Sequence, residues 1–222
     1  RALLGIVAAA LLLLLAMLGM QGMSAYVFPN VYRNTQAQSV VALLSNVSII
    51  AICAPLASKL AAKFGKKELA TVSCLFGAAS YVICFILHPD NVWVYVIFYV
   101  AAFVGLGFFN TIIWAMITDV IDDAEVKNGI REDGTIYAVY SFARKLGQAF
   151  SSGMVGALLS LAGYSTATAF DPAVTESIFK ISCIVPIIGL TTVALALIFI
   201  YPLNKKRVES NVAELARRRG EK

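Results

Sequence analysis

Histidine is almost missing from this chain: the single one in 222 residues, His88, stands beside Pro89 between two apolar runs. That scarcity excludes a His-Glu-x-x-His metal site, and no Gly-x-Ser-x-Gly elbow is present to present a serine nucleophile. Cysteine offers no chemistry either. Cys53, Cys74, Cys84 and Cys183 all fall inside apolar runs, with no pair at the two-residue separation of metal and redox motifs, so they read as small buried hydrophobes. Charge is scarce as well, at 14% of residues against 59% hydrophobic ones and a mean hydropathy of +0.80. A soluble domain of this length has no room to hide that much apolar surface, so an integral membrane protein is expected.

The charges that do occur total 18 basic and 13 acidic residues, a net of +5, and most of them sit between the apolar runs. A basic balance confined to loops argues against nucleic acid as a partner and for the lipid bilayer. The chain begins at Arg1 instead of Met, and the apolar run after it outlasts a signal-peptide core of about 7 to 15 residues with no small-residue cleavage site. A fragment or a processed chain is the expectation.

Runs long enough to cross about 30 Å of hydrocarbon, roughly 20 residues each, lie near 2–28, 38–60, 69–87, 92–118, 134–162 and 178–201. They are continuous and not alternating, which predicts helices and not barrel strands. The expected fold class is thus all-α, a bundle of six transmembrane helices over 1–201 followed by a basic tail over 202–222. One set of loops and termini collects Arg1, Lys59, Lys63, Lys66, Lys67, Lys127, Arg131, Lys205, Lys206, Arg207, Arg217, Arg218, Arg219 and Lys222, while the other holds only Arg33 and Lys180. Lys and Arg near span ends stay cytoplasmic, so both termini are predicted on the cytoplasmic side of a plasma (inner) membrane. In the tail, Asn211 with Glu214 resembles a capping box, and a short surface helix with a solvated charged face is expected.

The stretch from Asp119 to Gln148 carries six acidic and four basic residues between two greasy runs. In the fifth span Tyr137, Ser141, Arg144 or Lys145, Gln148 and Ser152 recur every three to four residues, making one helix face polar. Lys145 lies eleven residues past Gly134, roughly 16 Å deep at 1.5 Å per residue. A charge at that depth costs several kcal/mol or more unless it is paired or in water. Arg144 points about 100° away, so one of the two cations is expected to line a cavity and the other to pair with an acid of the loop. On the fourth span Asn110, Trp114 and Thr118 share a face leading to Asp119, and an indole beside an amide suits a sugar. A Trp buried between helices, with Asn bonding across the bundle, accounts for the same pair equally well. Gln21, Ser24 and Phe28, and Asn46 with Ser45 or Ser48, are further candidates for the same cavity. The acids from Asp119 to Asp133 begin at the expected membrane edge and lie opposite the basic 59–67 turn, an arrangement able to latch.

The motif D-x-x-D-D-x-E-x-K-x-G-x-R-x-x-G from Asp119 to Gly134, continued by YAVYSFARKLGQAFSSGMVGALLSLAGY, resembles the glycoside-pentoside-hexuronide:cation symporters. PLASKLAAKFGKK at Pro55 to Lys67 and YPLNKKR at Tyr201 to Arg207 extend the resemblance through the chain. It implies the major facilitator fold of twelve helices in two six-helix halves, with this chain similar to the second half only. It further implies uptake of a sugar or glycoside driven by Na⁺ or H⁺, by alternating access. Lys145 falls where the family places a lysine near its cation and sugar sites, with a polar residue one turn earlier at Ser141. A sugar-contacting aromatic of some members aligns with Asn110, where this sequence departs, and Trp114 one turn on is the candidate replacement. The acids that bind the coupling cation belong to the first half, so the N-terminal six-helix half is the implied partner and no resident cofactor is expected.

The substrate-binding candidates are therefore Asn110, Trp114, Tyr137, Ser141, Lys145 and Gln148. Those of the gate are Lys63, Lys66, Lys67, Asp119, Asp122, Arg131 and Arg144. Two other readings stay open: a stand-alone six-helix subunit that dimerises or is purely structural, and a six-span membrane enzyme. The enzyme is poorly served, since the midplane acids of an intramembrane aspartyl protease are missing and Asp119 lies at a helix end.

Overall fold

The computed structural model describes residues 1–220, so Lys222 of the predicted basic side lies outside the described residues. Among the described residues the chain is all-helical. Its helices are α1 (Ala2–Val31), α2 (Thr35–Phe64), α3 (Lys66–Leu87), α4 (Val92–Asn128), α5 (Asp133–Leu161), α6 (Pro172–Phe199) and a tail helix, α7 (Lys205–Arg219). Five of them, α1 to α4 and α6, are long and apolar enough to cross a membrane. The expected sixth span is the 29-residue α5, whose length suffices. Arg144, Lys145 and Gln148 at its middle hold its apolar character below that of the other five.

Successive helices run antiparallel, so one end of the bundle gathers Arg1, the 64–66 and 128–133 turns and the start of α7. α3 packs along α4 and α6, while α1 packs along α5 and α6. α2 lies beside α4, and α5 meets α4 only sparingly, so α2 and α5 flank an open face between them. The tightest crossing is that of α3 with α4. A Cβ on Gly105 would lie 2.4 Å from the Ser73 carbonyl oxygen and 3.2 Å from Gly77, so the two backbones touch.

Pro29 and Pro55 fall where the backbone already departs from the α pattern, whereas Pro186 lies inside α6. Pro29 sits in a terminal π turn, Val27–Val31, and Pro55 follows another, Ile49–Cys53, whose wider turn absorbs the missing N–H and lets α2 run on. At the end opposite the termini, Phe28, Tyr81, Tyr95, Tyr99 and Phe179 form a buried aromatic cluster. The Tyr32 hydroxyl ties that end down by donating to the Pro89 carbonyl at 3.0 Å.

Two boundaries differ informatively from the sequence reading. The fourth run was expected to end near Thr118, with a loop to Asp133, yet α4 continues for ten residues to Asn128. Hydropathy marks where lipid ends, whereas the helix stops at Gly129, which takes the left-handed conformation at φ 74°. The tail helix is capped by the Asn204 side chain, which accepts from the Arg207 amide, and not by Asn211. Asn211 is buried mid-helix, and the tail packs on α4 where a solvated helix was expected.

Candidate functional site

At the terminus-bearing end, the acids of α4 are held by cations from three directions. Lys66, opening α3, donates to Asp119 at 2.6 Å. Asp119 is only 5% exposed, and its second carboxylate oxygen is buried without a partner. Lys63 and Lys67 make no ion pair with this stretch among the described residues. Lys67 instead donates to the Tyr201 and Ile198 carbonyls at 2.7 and 3.2 Å, satisfying the end of α6. Lys63 lies 5.1 Å from the Phe64 ring, and its carbonyl accepts from Lys205.

Arg131 belongs to the turn itself. It bonds Asp122, Glu125 and Asp133, each at 2.9 Å, and so braces α4 against α5 without reaching the 59–67 turn. The carboxylates hold its guanidinium charge all the more firmly, raising its pKa. Asp123 escaped the sequence reading, yet it is the most deeply buried acid among the described residues, 2% exposed. It accepts from Lys127 one turn on, from Arg207 at 3.3 Å and from Asn211 at 3.2 Å, the last two belonging to the tail. Arg219 adds a second tie to Glu125 at 2.9 Å. The i, i+4 spacing of Asp123 and Lys127 was visible in the sequence, but nothing there indicated that α7 would supply the rest.

Midway along the bundle, α4 and α5 bring together a cluster of aromatic and cationic side chains. Trp114 is 49% exposed. Its ring is roughly parallel to Tyr137 at 6.4 Å and edge-on to Tyr140 at 5.3 Å. The Arg144 guanidinium lies 5.7 Å from the centroids of both Trp114 and Tyr140 and donates to the Tyr140 hydroxyl at 3.0 Å. The acid expected to pair with one of the two cations is not found on Arg144, whose contacts are aromatic; Tyr140 was the missed neighbour, one turn before it. Asn110 is half-buried one turn from Trp114, while Ser141, Lys145 and Gln148 are exposed on α5. Lys145 has no ion-pair partner among the described residues.

The outlying polar candidates divide. Gln21, Ser24, Ser45 and Asn46 line a cavity of about 230 Å³ between α1, α2 and α4, with Gln38 and Tyr99. Ser48 turns back to the Leu44 carbonyl, and Phe28 is fully buried in the aromatic cluster. No group of three or more His, Cys, Asp or Glu side chains able to hold a metal occurs among the described residues.

Five membrane-length apolar helices, a sixth long helix with a polar face, and ion pairs that gather mostly at one end, with a smaller group around Glu176 at the other, define a multi-pass helical membrane protein. Residues 1–205 match the family described as MFS/sugar transport protein, and the chain belongs to that family. It is similar to the glucuronide carrier protein homolog of Escherichia coli K12, 28% identical over 95% of this chain and 46% of that protein. A putative sulfoquinovose importer of the same organism is 30% identical over 70% of this chain and 33% of its own length. A putative glycoside/cation symporter, also from Escherichia coli K12, is 32% identical over 48% of this chain and 23% of its own. The chain thus spans less than half the length of these relatives. The family is one of transporters, and the reading as a membrane enzyme falls away.

Proposed function

We propose that the chain is the C-terminal six-helix half of a cation-coupled symporter that takes up a sugar or glycoside by alternating access, with α5 as its sixth membrane helix. The observation that carries this is Lys145, exposed at the middle of a 29-residue helix and without an ion-pair partner among the described residues. A lysine so placed is stable only against water or a partner outside the described residues, which makes α5 one wall of a hydrated cavity and not a lipid-facing rod. The names of the relatives, a glucuronide carrier, a sulfoquinovose importer and a glycoside/cation symporter, support a sugar or glycoside substrate.

In this reading Asn110, Trp114, Tyr137, Ser141, Lys145 and Gln148 face the substrate. The aromatic rings stack on a sugar's apolar face while the polar groups meet its hydroxyls. The coupling ion, Na⁺ or H⁺, is carried as cargo and takes its main ligands from the N-terminal half. Lys66 and Asp119, with Lys63 and Lys67 beside them and Asp122 and Arg131 bracing the adjacent turn, form the gate, whose pairs hold in one state and part in the other. Arg144, whose guanidinium rests on Trp114 and Tyr140 between Ser141 and Lys145 on α5, sits with the substrate-facing residues and not with the acids of the gate. The bilayer is the plasma membrane, with both termini cytoplasmic, as the gathering of basic residues at one end of the bundle favours. The test is reconstitution of the full-length protein and measurement of Na⁺- or H⁺-dependent glycoside uptake. Lys145→Ala is expected to abolish coupled uptake, and coupled uptake at the wild-type level would refute the reading.

A further inference from the structure

The open face between α2 and α5 has an unusual charge balance. No Asp or Glu precedes Glu68, so α1 and α2 are free of acids; α4 has none before Asp119, and α5 none after Asp133. Asp119 is already committed to Lys66. Apart from Lys59 near the end of α2, the walls of the face through their membrane depth therefore carry two cations, Arg144 and Lys145, and no carboxylate to neutralise them.

Of the two, Arg144 is the one whose orientation is fixed. The Tyr140 hydroxyl takes one Nη donor at 3.0 Å, and the Trp114 and Tyr140 rings lie 5.7 Å from its guanidinium carbon. A guanidinium has five N–H donors, so this anchorage leaves most of the fork unused. Two N–H groups of such a fork match the paired oxygens of a carboxylate or sulfonate, and a neutral hydroxyl cannot engage both. Trp114 is half exposed beside it, with Tyr137 parallel to its ring, so an apolar platform for a sugar ring lies within one side chain's reach of an anion-selective group.

Resting on the sugar-transport reading above, we propose that Arg144 is the specificity-determining residue that selects sugars bearing a carboxylate or sulfonate over their neutral counterparts. Tyr140 acts as its positioning residue. The competing possibility, that an acid from elsewhere in the complete transporter pairs with Arg144, predicts no discrimination by ligand charge.

The test uses the full-length protein in proteoliposomes and three probes sharing one ring: methyl glucuronide, methyl sulfoquinovoside and methyl glucoside. Wild type is expected to take an acidic probe at least about tenfold better than the glucoside, and the ratio of the first two tells carboxylate from sulfonate. Arg144→Gln is expected to lower apparent affinity for the acidic probes by roughly tenfold to a hundredfold, the range of a lost charged hydrogen-bond pair, and to affect the glucoside far less, so that the preference for acidic over neutral probes collapses. Should Arg144→Gln fail to insert, Arg144→Lys keeps the charge, loses the fork and is expected to retain only part of the preference. Tyr140→Phe is expected to reduce acidic-probe affinity several-fold with no change for the glucoside. Equal handling of acidic and neutral probes by wild type, or a preference that survives Arg144→Gln, overturns the inference and leaves sugar transport standing. Uptake of no sugar across a wider neutral and acidic panel takes down both.

Discussion

Replacing Asp123 with alanine should free the tail helix while leaving the membrane bundle intact. Asp123 is 2% exposed, and the side chains that cross to it from α7 are Arg207 at 3.3 Å and Asn211 at 3.2 Å. Lys127 also bonds it but belongs to α4, so losing that contact does not release the tail. Removing one partner of a fully buried pair costs about 3–5 kcal/mol because a charge is left stranded. Here the stranded cations, Lys127 and Arg207, are each 46% exposed and rehydrate, which removes most of that penalty. What remains is two bonds to a charged acceptor, both long, worth about 1.5 kcal/mol each and about 3 kcal/mol together. At about 1.4 kcal/mol per factor of ten, the opening equilibrium of α7 shifts on the order of a hundredfold. Hydrogen exchange of peptides covering 205–219 reads this directly as a comparable loss of protection, with peptides from α3 unchanged. Protection of α7 within threefold of wild type would refute the reasoning, and would mean that the Arg219–Glu125 pair and buried Leu215 hold the tail.

Other consequences are equally direct. Lys66→Ala strands the buried Asp119 carboxylate and should cost about 3–5 kcal/mol in detergent unfolding, much of it recovered in the Lys66→Ala/Asp119→Ala double variant. Equal stability of the single and double variants would exclude that pair as a stabilising tie. Gly105→Ala forces a methyl to within 2.4 Å of the Ser73 carbonyl oxygen and should destabilise by about 1–3 kcal/mol, read as a lowered unfolding temperature. Gly156→Ala, on the same assay, meets nothing within 4 Å and should raise stability by about 0.5–1 kcal/mol, since alanine is the better helix former.

The helices were legible because burial in lipid demands long unbroken apolar runs, and such runs cannot be disguised. Their ends were less legible where helix and hydrocarbon part company. Asp119, Asp122, Asp123 and Glu125 end the apolar run but do not end the helix, since each is paired, to Lys66, Arg131, Lys127 or the tail, and the stop waits for Gly129. Asp171-Pro172 starts α6 six residues before the expected 178, a proline-at-N1 signal that apolar counting passed over. Within the candidate site, the polar face of α5 followed from three-to-four-residue spacing alone. The partners of each cation did not. Lys67 meets carbonyls, Arg144 meets rings, and of the 63–67 turn only Lys66 meets an acid of α4, because these pairings depend on which helix ends lie side by side.

Apolar run length and the placement of charge were enough to establish a helical membrane protein with a polar stripe at mid-depth, since each is a local cost that lipid imposes residue by residue. The neighbour that each charge meets is a matter of helix packing. α7 folds back onto α4 to bury Asp123, and α4 sets Trp114 beside Arg144, contacts between residues 84 and 30 positions apart in the chain. No periodicity reports such distances, because they depend on which helices lie side by side and not on the residues between them.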